Sequence, residues 1–599
     1  MERAAQHGPS AWQEPTPGTH TCLGPPSPNI GPRPKSDRAD LELHHAVEDR
    51  PTAHHPYLVR VHSFHCQRAI LLLHFLRAPM SLASMPWTLV CGTLGMLLLW
   101  HAARLLDRLW WHPRRLERAL RAQGLRGTSY RFLIGDVNDY ERRNKEARSR
   151  SIPLRCHDIA PHVAPLLHDI VREHGKVCIS WYGPYLKVTI SDPDLTKEVM
   201  SNKFGHFEKL QFPALSRLLA GGLATYEGEK WVMHRRILNP AFQLEKLKLM
   251  LPAFSTCCEE LVSKWVQSLG SDGTCEVDVC PELQRLTGDV ISRTAFGSNY
   301  LEGTRIFQLQ SEQAERLLAR IKKIVIPGYL SLPTKNNRRM KAINNEIESI
   351  LLSLIGKRMQ AMQEGENTKD DLLGLMLESN MRDIDENGQS ITGMTIKEIV
   401  EECKLFYFAG TETTSILLTW TMIVLSMHPE WQDRAREEVL GLFGKNKLVY
   451  EGFSQLKTVT MILYEVLRLY PPAVAFIRKT YKEMDIGGIT YPAGVLIELP
   501  VLLIHHDPDI WGDDVHEFKP ERFADGISKA SKNPGAFLPF GWGPRICIGQ
   551  QFALLEAKMA LCMILQHFEF GLAQSYTHAV DNRKLLHPMH GAQIKLRAI

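Results

Sequence analysis

The stretch Phe540-Gly541-Trp542-Gly543-Pro544-Arg545-Ile546-Cys547-Ile548-Gly549 sets one cysteine in a glycine-rich turn just ahead of an apolar helical pattern. A thiol at a helix N-terminus faces unpaired backbone N–H groups and the positive end of the helix dipole, which favour the ionised, metal-binding form. Cys547 is therefore a candidate ligand. The glycines at 541, 543 and 549 allow close backbone approach, Pro544 stiffens the turn, and Arg545 offers a planar donor to a carboxylate. A flat dianionic cofactor suits such a loop, whereas a cysteine without this company is usually an ordinary buried side chain.

The 599 residues carry a formal net charge of +5, too small to point to nucleic acid, and no basic stripe is interleaved with aromatics. Twelve scattered cysteines show neither C-x-x-C pairs nor finger-like Cys/His spacing, which argues against a disulfide framework or a zinc finger. Residues 1–79 read as a disordered extension, because the first 60 contain ten prolines and little apolar periodicity; translation could begin at Met80. The His-His pairs in this region read as solvated tail rather than as a metal site. From Pro86 to Ala103 the chain is apolar except for Thr88, Thr93 and His101, and seven arginines follow between Arg104 and Arg126. That polarity predicts a transmembrane anchor over 80–104 and a basic cytosolic linker over 105–126, with the body of the chain over 127–599. A cleaved signal would carry its charges on the other side of the apolar run.

In the body, Val177–Trp181 and Leu186–Ile190 flank a Gly183-Pro184 turn and predict a hairpin; Gly487-Gly488 marks a second. Helical periodicity dominates elsewhere, around 245–269, 340–363, 396–427, 455–469 and 548–567, so the expected fold is mainly α with a minor β-sheet. The polar stretch from Glu364 to Gly393 reads as an exposed loop. Thr395 and Glu398 form a capping box for a helix that Pro429 ends, about 48 Å long. Its middle, Phe408-Ala409-Gly410-Thr411-Glu412-Thr413-Thr414-Ser415, combines glycine and hydroxyls that weaken the i→i−4 ladder and predict a local bulge. Glu465 and Arg468 are spaced to pair on one face of a helix that ends at Pro471-Pro472.

The Cys547 loop fits Phe-x-x-Gly-x-Arg-x-Cys-x-Gly at every fixed position, and the chain from about Gly127 onward resembles the cytochrome P-450 superfamily, nearest the plant branch that includes secologanin synthase. Trp511-Gly512-Asp513-Asp514-Val515-His516-Glu517-Phe518-Lys519-Pro520-Glu521-Arg522-Phe523 is one stretch that carries this likeness. The resemblance implies haem b with Cys547 as axial iron ligand, and a single haem-thiolate monooxygenase domain behind the anchor. It implies that Thr413 hydrogen-bonds dioxygen and that Glu412 helps deliver protons; without the surrounding motif, a threonine such as Thr413 is more often a helix threonine bonded to its own i−4 carbonyl. It also implies that Trp231, Arg235, Arg545 and Arg478 hold the propionates, and that Arg522 completes a buried structural triad with Glu465 and Arg468. A lone arginine is more often a solvated surface residue, so each of these rests on its motif. Apolar segments near Phe207–Thr225 (including Phe212), Phe408–Ala409, Ala473–Ile477 and Met589–Ala592 would enclose a small hydrophobic substrate, in this branch a terpenoid or related plant metabolite. No flavin or NADPH domain is apparent, so electrons would come from a separate NADPH-cytochrome P-450 reductase at the endoplasmic reticulum membrane. The alternatives are an oxygen-independent peroxide isomerase or dehydratase, or a haem-binding sensor without turnover.

Overall fold

Thr395 accepts from the backbone N–H of Glu398, and the Glu398 side chain returns to the Thr395 N–H at 2.9 Å, so the capping box forms and launches the longest helix, Ile396–Met427. It is α-helical over all 32 residues, so the expected bulge is absent. Of the hydroxyls that were to weaken the ladder, Thr413 donates to the Ala409 carbonyl at 2.7 Å and Ser415 to the Glu412 carbonyl at 3.1 Å on the helix itself, while Thr411 Oγ1 is buried without a hydrogen-bond partner. Gly410 serves packing, since a Cβ there would lie 2.9 Å from the Ile291 side chain on the neighbouring helix Val279–Phe296.

The computed structural model describes residues 87–201, 207–209, 218–219, 221–297, 300–321, 332–365, 371–382 and 393–599. The extension expected over 1–79 and the start of the anchor lie outside them. The helix Trp87–Leu106 runs 20 residues, about 30 Å, and Met96, Leu97, Leu98 and Leu99 on it are exposed. It is long and apolar enough to cross a bilayer. The long helix Ile396–Met427 meets the same length and composition test but is mostly buried, as a core helix is.

The four other expected helices form over Leu244–Gln267, Lys335–Gln363, Lys457–Leu469 and Gln550–His567. Both hairpins are present, with Val177 opposite Ile190 in the first and Ile486 opposite Ile489 in the second. The first belongs to a six-stranded sheet ordered Arg126–Gly127, Val177–Tyr182, Tyr185–Ile190, Leu496–Leu499, Phe476–Thr480, Phe207–Lys209. The stretch expected to be a loop, 364–393, instead contains the helix Leu372–Arg382. Leu372, Leu373, Met376 and Leu377 lie on one helical face and are buried, a stripe that the polar composition around it obscured.

Among the buried histidines, three are held neutral against a named partner. His505 accepts the Leu538 N–H at Nε2 (3.0 Å), His157 meets the Tyr470 hydroxyl at 2.8 Å, and His578 meets that of Tyr576 at 2.8 Å. Burial, foremost, pushes His157 and His505 down to about 3 and His578 to about 4. Their folded values lie below the ordinary 6.5, so unfolding takes up protons at lower pH and stability falls as pH drops from about 6.5 towards 4. Near pH 5 the expected slope is roughly 4 kcal/mol per pH unit for the three, about 1.4 each. Denaturant unfolding of the holoprotein at pH 7, 6 and 5 checks this; a flat profile would contradict the buried neutral rings.

Candidate active site

The cysteine loop is closed by its own backbone, with Cys547 N–H donating to the Phe540 carbonyl at 2.9 Å. Arg235, on the helix Gly228–Leu238, donates from Nη1 to the Ile546 carbonyl at 2.9 Å and holds the loop from outside. Gly543 has φ +70°, and a Cβ there would lie 2.6 Å from the Met200 carbonyl, so glycine is needed for both conformation and close approach. Cys547 is accessible, yet burial pushes its thiol up. Both hold for a side chain that lines an interior space. The Gly549 N–H and the charges of Arg235 and Lys209 oppose that rise without cancelling it. The helix-terminus argument therefore gives the right sign for one contribution but not for the sum; a coordinated cation would remove the proton.

Around the thiol the structure gathers positive charge. Lys209 pairs with Arg478 across the sheet edge, and Lys209 is pushed down to about 7 by burial and then by Arg545 and Arg478. Burial and Arg545 push Arg478 down to about 10. Arg545 forms an ion pair with Glu227, donates to the Tyr226 carbonyl at 2.9 Å, and lies over the Trp231 ring at 4.5 Å. Its Nη1 is buried with no hydrogen-bond partner. Of the acids among the described residues, Glu227 is the one that lowers this strain, acting on Lys209, Arg478 and Arg545. Four cations against one carboxylate, with an orphaned guanidinium nitrogen beside an accessible sulfur, fit a dianionic macrocycle whose metal takes the thiolate. Lys209 did not stand out in the sequence, because strand pairing with Arg478 brings it to the loop, and Glu227 did not, because it precedes the helix that carries Trp231 and Arg235 and belongs to no motif.

Glu412 and Thr413 point to different sides of the long helix, about 100° apart. Glu412 is buried, accepts from Gln284 Nε2 at 2.8 Å, and lies 3.3 Å from Nε2 of the partly exposed His587. Phe408, Ala409 and Thr413 are partly exposed mid-helix although Thr414 to Leu425 are buried throughout, so that side also faces a space. A further acid, Glu556, lies on the helix after the cysteine loop; it is fully buried beside Thr414, its carboxyl oxygens lack hydrogen-bond partners, and burial holds it well above the usual carboxylate range. No motif drew attention to Glu556 or His587. Among the expected substrate-enclosing residues, Val474, Phe476 and Met589 are partly exposed; Phe212 lies outside the described residues.

Glu465 and Arg468 form a fully buried, two-pronged pair at 2.8 and 2.7 Å. Arg522 approaches Glu465 at 3.5 Å, but its closer carboxylate is Asp514, at 2.7 Å, and it also donates to the carbonyls of Trp511 and Asp514. The structure thus brings together a tetrad, with the Lys519 N–H also donating to Glu465 at 3.1 Å.

The sequence pattern of the Cytochrome P450 family matches residues 158–596. The chain is 57% identical over 514 residues to Cytochrome P450 CYP72A616 of Paris polyphylla, covering 85% of this chain and 99% of that one. It is 51% identical to Cytochrome P450 72A397 of Kalopanax septemlobus (83% and 95% covered) and to Cytochrome P450 72A13 of Arabidopsis thaliana (84% and 96%). Among solved structures it resembles a retinoic acid-bound cyanobacterial CYP120A1, with a TM-score of 0.62 and 25% identity over 72% of this chain and 94% of that one. The chain belongs to the cytochrome P450 family, monooxygenases that bind haem b and generally take electrons from a reductase.

Glu465→Ala would strand Arg468 in the interior and is expected to cost about 3–5 kcal/mol. Arg522→Ala should cost less, because its partner Asp514 is partly solvated. Chemical denaturation of both variants measures the difference, and equal costs would contradict this ranking.

Proposed function

We propose that the protein is a membrane-anchored haem-thiolate monooxygenase that oxidises a small lipophilic substrate, a terpenoid or related plant metabolite, with electrons from NADPH through a separate reductase at the endoplasmic reticulum. The accessible Cys547 sulfur beside a buried excess of positive charge carries the reading. Bound haem supplies the activation of dioxygen and the insertion of one oxygen atom into a C–H bond. Cys547 would supply the thiolate to the haem iron; Arg235, Arg478 and Arg545 would neutralise the propionates, with Trp231 backing Arg545 and Lys209 joining them, its ammonium restored by nearby carboxylates.

Glu412 holds a proton supply at the distal helix. His587, partly exposed and 3.3 Å from its carboxylate, links it to solvent, and Gln284 fixes its orientation. Thr413 presents its hydroxyl to the reacting oxygen while keeping the Ala409 carbonyl as its own acceptor, so that its lone pairs and single proton have a defined direction. Phe408, Ala409, Val474, Phe476 and Met589 give the substrate an apolar wall, which supports a lipophilic class, as does the retinoic acid held by the cyanobacterial neighbour. Glu465, Arg468 and Arg522 hold the scaffold and touch no reactant.

The test is expression of the holoenzyme in microsomes with a plant reductase, followed by mass spectrometry of products from NADPH and isotopic dioxygen across a terpenoid panel. One labelled atom per product is expected. Cys547→Ala should abolish the thiolate-type carbon monoxide spectrum. Glu412→Gln and Thr413→Ala should keep that spectrum and lower labelled product by about 10²-fold, the lower end of general-acid contributions. A normal spectrum in Cys547→Ala would overturn the ligand assignment, and unlabelled product would overturn the monooxygenase reading.

A further inference from the structure

On a different part of the body, Asp158, His506 and His516 place one ligand atom each within 4.8 Å of one another. The three come from distant segments. Asp158 precedes the short helix Ala160–Val163, His506 caps the helix Val501–His505, and His516 lies between the helix Pro508–Trp511 and the turn Pro520–Phe523. His506 is buried, and its Nε2 meets the Leu469 carbonyl at 3.0 Å. A carbonyl only accepts, so Nε2 carries the proton and Nδ1 carries a lone pair. That Nδ1 is buried and has no hydrogen-bond partner. His516 Nδ1 is likewise unpartnered and lies 3.8 Å from Asp158 Oδ1, with the two imidazole rings 5.5 Å apart.

An imidazole whose far nitrogen is pinned to a backbone carbonyl, and whose near nitrogen faces a second imidazole and a carboxylate, is the arrangement that orients a metal-bound histidine. We propose that Asp158, His506 and His516 bind a divalent transition-metal ion, zinc being the best match, with water in the fourth position. Tetrahedral zinc with bonds of about 2.0–2.1 Å holds its ligand atoms about 3.3 Å apart. The cluster must therefore contract, and the partly exposed side chains of His516 and Asp158 are free to do so around the fixed His506. The cation acting on both imidazoles is Arg468, whose charge is matched by Glu465; His157, His162, His168 and His505 are the other titratable neighbours. Burial and Arg468 both disfavour imidazolium here, which leaves the neutral rings that metals require.

The site would act as a clamp. Val515 and Glu517, on either side of His516, and His505, next to His506, supply carbonyls to Arg468. A metal joining His516 to His506 therefore fastens the loop that feeds the Glu465–Arg468 pair, and ties it to the segment at Asp158. It takes no part in oxidation and is independent of the active-site assignment.

The experiment uses holoenzyme purified without a polyhistidine tag, stripped with chelator, exposed to zinc alone and passed through a desalting column; retained zinc per haem is read by mass spectrometry. Wild type is compared with His516→Leu, Asp158→Ala and His506→Ala. The expected result is one more retained zinc per haem in wild type than in the variants, at least about tenfold weaker binding in each, and a zinc-induced rise in Tm that His516→Leu lacks. If His506→Ala fails to take up haem, the two surface variants still decide. Equal zinc retention and equal Tm shifts in wild type, His516→Leu and Asp158→Ala would overturn the proposal, as would no retained zinc in wild type.

Discussion

A guanidinium sealed from water must find an acceptor for each of its five N–H bonds, and Arg468 finds five: both Glu465 oxygens and the carbonyls of His505, Val515 and Glu517. That demand shapes the whole region between the helix Lys457–Leu469 and the cysteine loop. Two irregular segments, one after the helix Val501–His505 and one before Pro520–Phe523, have no sheet or helix partner at these carbonyls, and the arginine serves in place of one. The Glu465 carboxylate makes the burial tolerable; Lys519 N–H donates to it as well, and the Arg522 guanidinium adds its charge from 3.5 Å. Hydrophobic packing alone would leave the carbonyls unsatisfied.

The cofactor region follows the opposite logic. Lys209, Arg235, Arg478 and Arg545 crowd together with Glu227 as the acid that opposes their repulsion, and all four are shifted towards the neutral form. Perturbed charges of this kind gather at functional sites, and this cluster suits an anionic ligand. The charge of Arg468 is balanced within the chain, whereas the excess around Arg545 is not. Comparing the Arg468 and Arg545 environments separates balanced from unbalanced charge without reference to any motif.

Much of this was legible in the sequence wherever the determinant was local. The Cys547 turn, the Thr395–Glu398 cap, the hairpins at 183–184 and 487–488 and the i, i+3 spacing of Glu465 and Arg468 each depend on residues a few positions apart. Lys209, Glu227, His587 and Glu556 did not stand out, because they reach the site through pairings across hundreds of residues that no local pattern encodes. The helix Leu372–Arg382 was missed because its apolar stripe is only four residues wide among polar flanks. The predicted bulge failed because threonine and serine hydroxyls bonded back to carbonyls of the preceding turn without breaking the ladder.

His505 joins the two halves of this picture. Its Nδ1 meets the Arg468 carbonyl at 3.2 Å and its Nε2 accepts from Leu538 N–H, two residues ahead of Phe540, whose carbonyl closes the loop on Cys547. A second proton on the ring would turn that acceptor into a donor facing a donor and expel Leu538. The hold on the cysteine loop therefore lasts only while that ring stays neutral, so the lone pair that burial protects is what ties the buried arginine to the turn at Cys547.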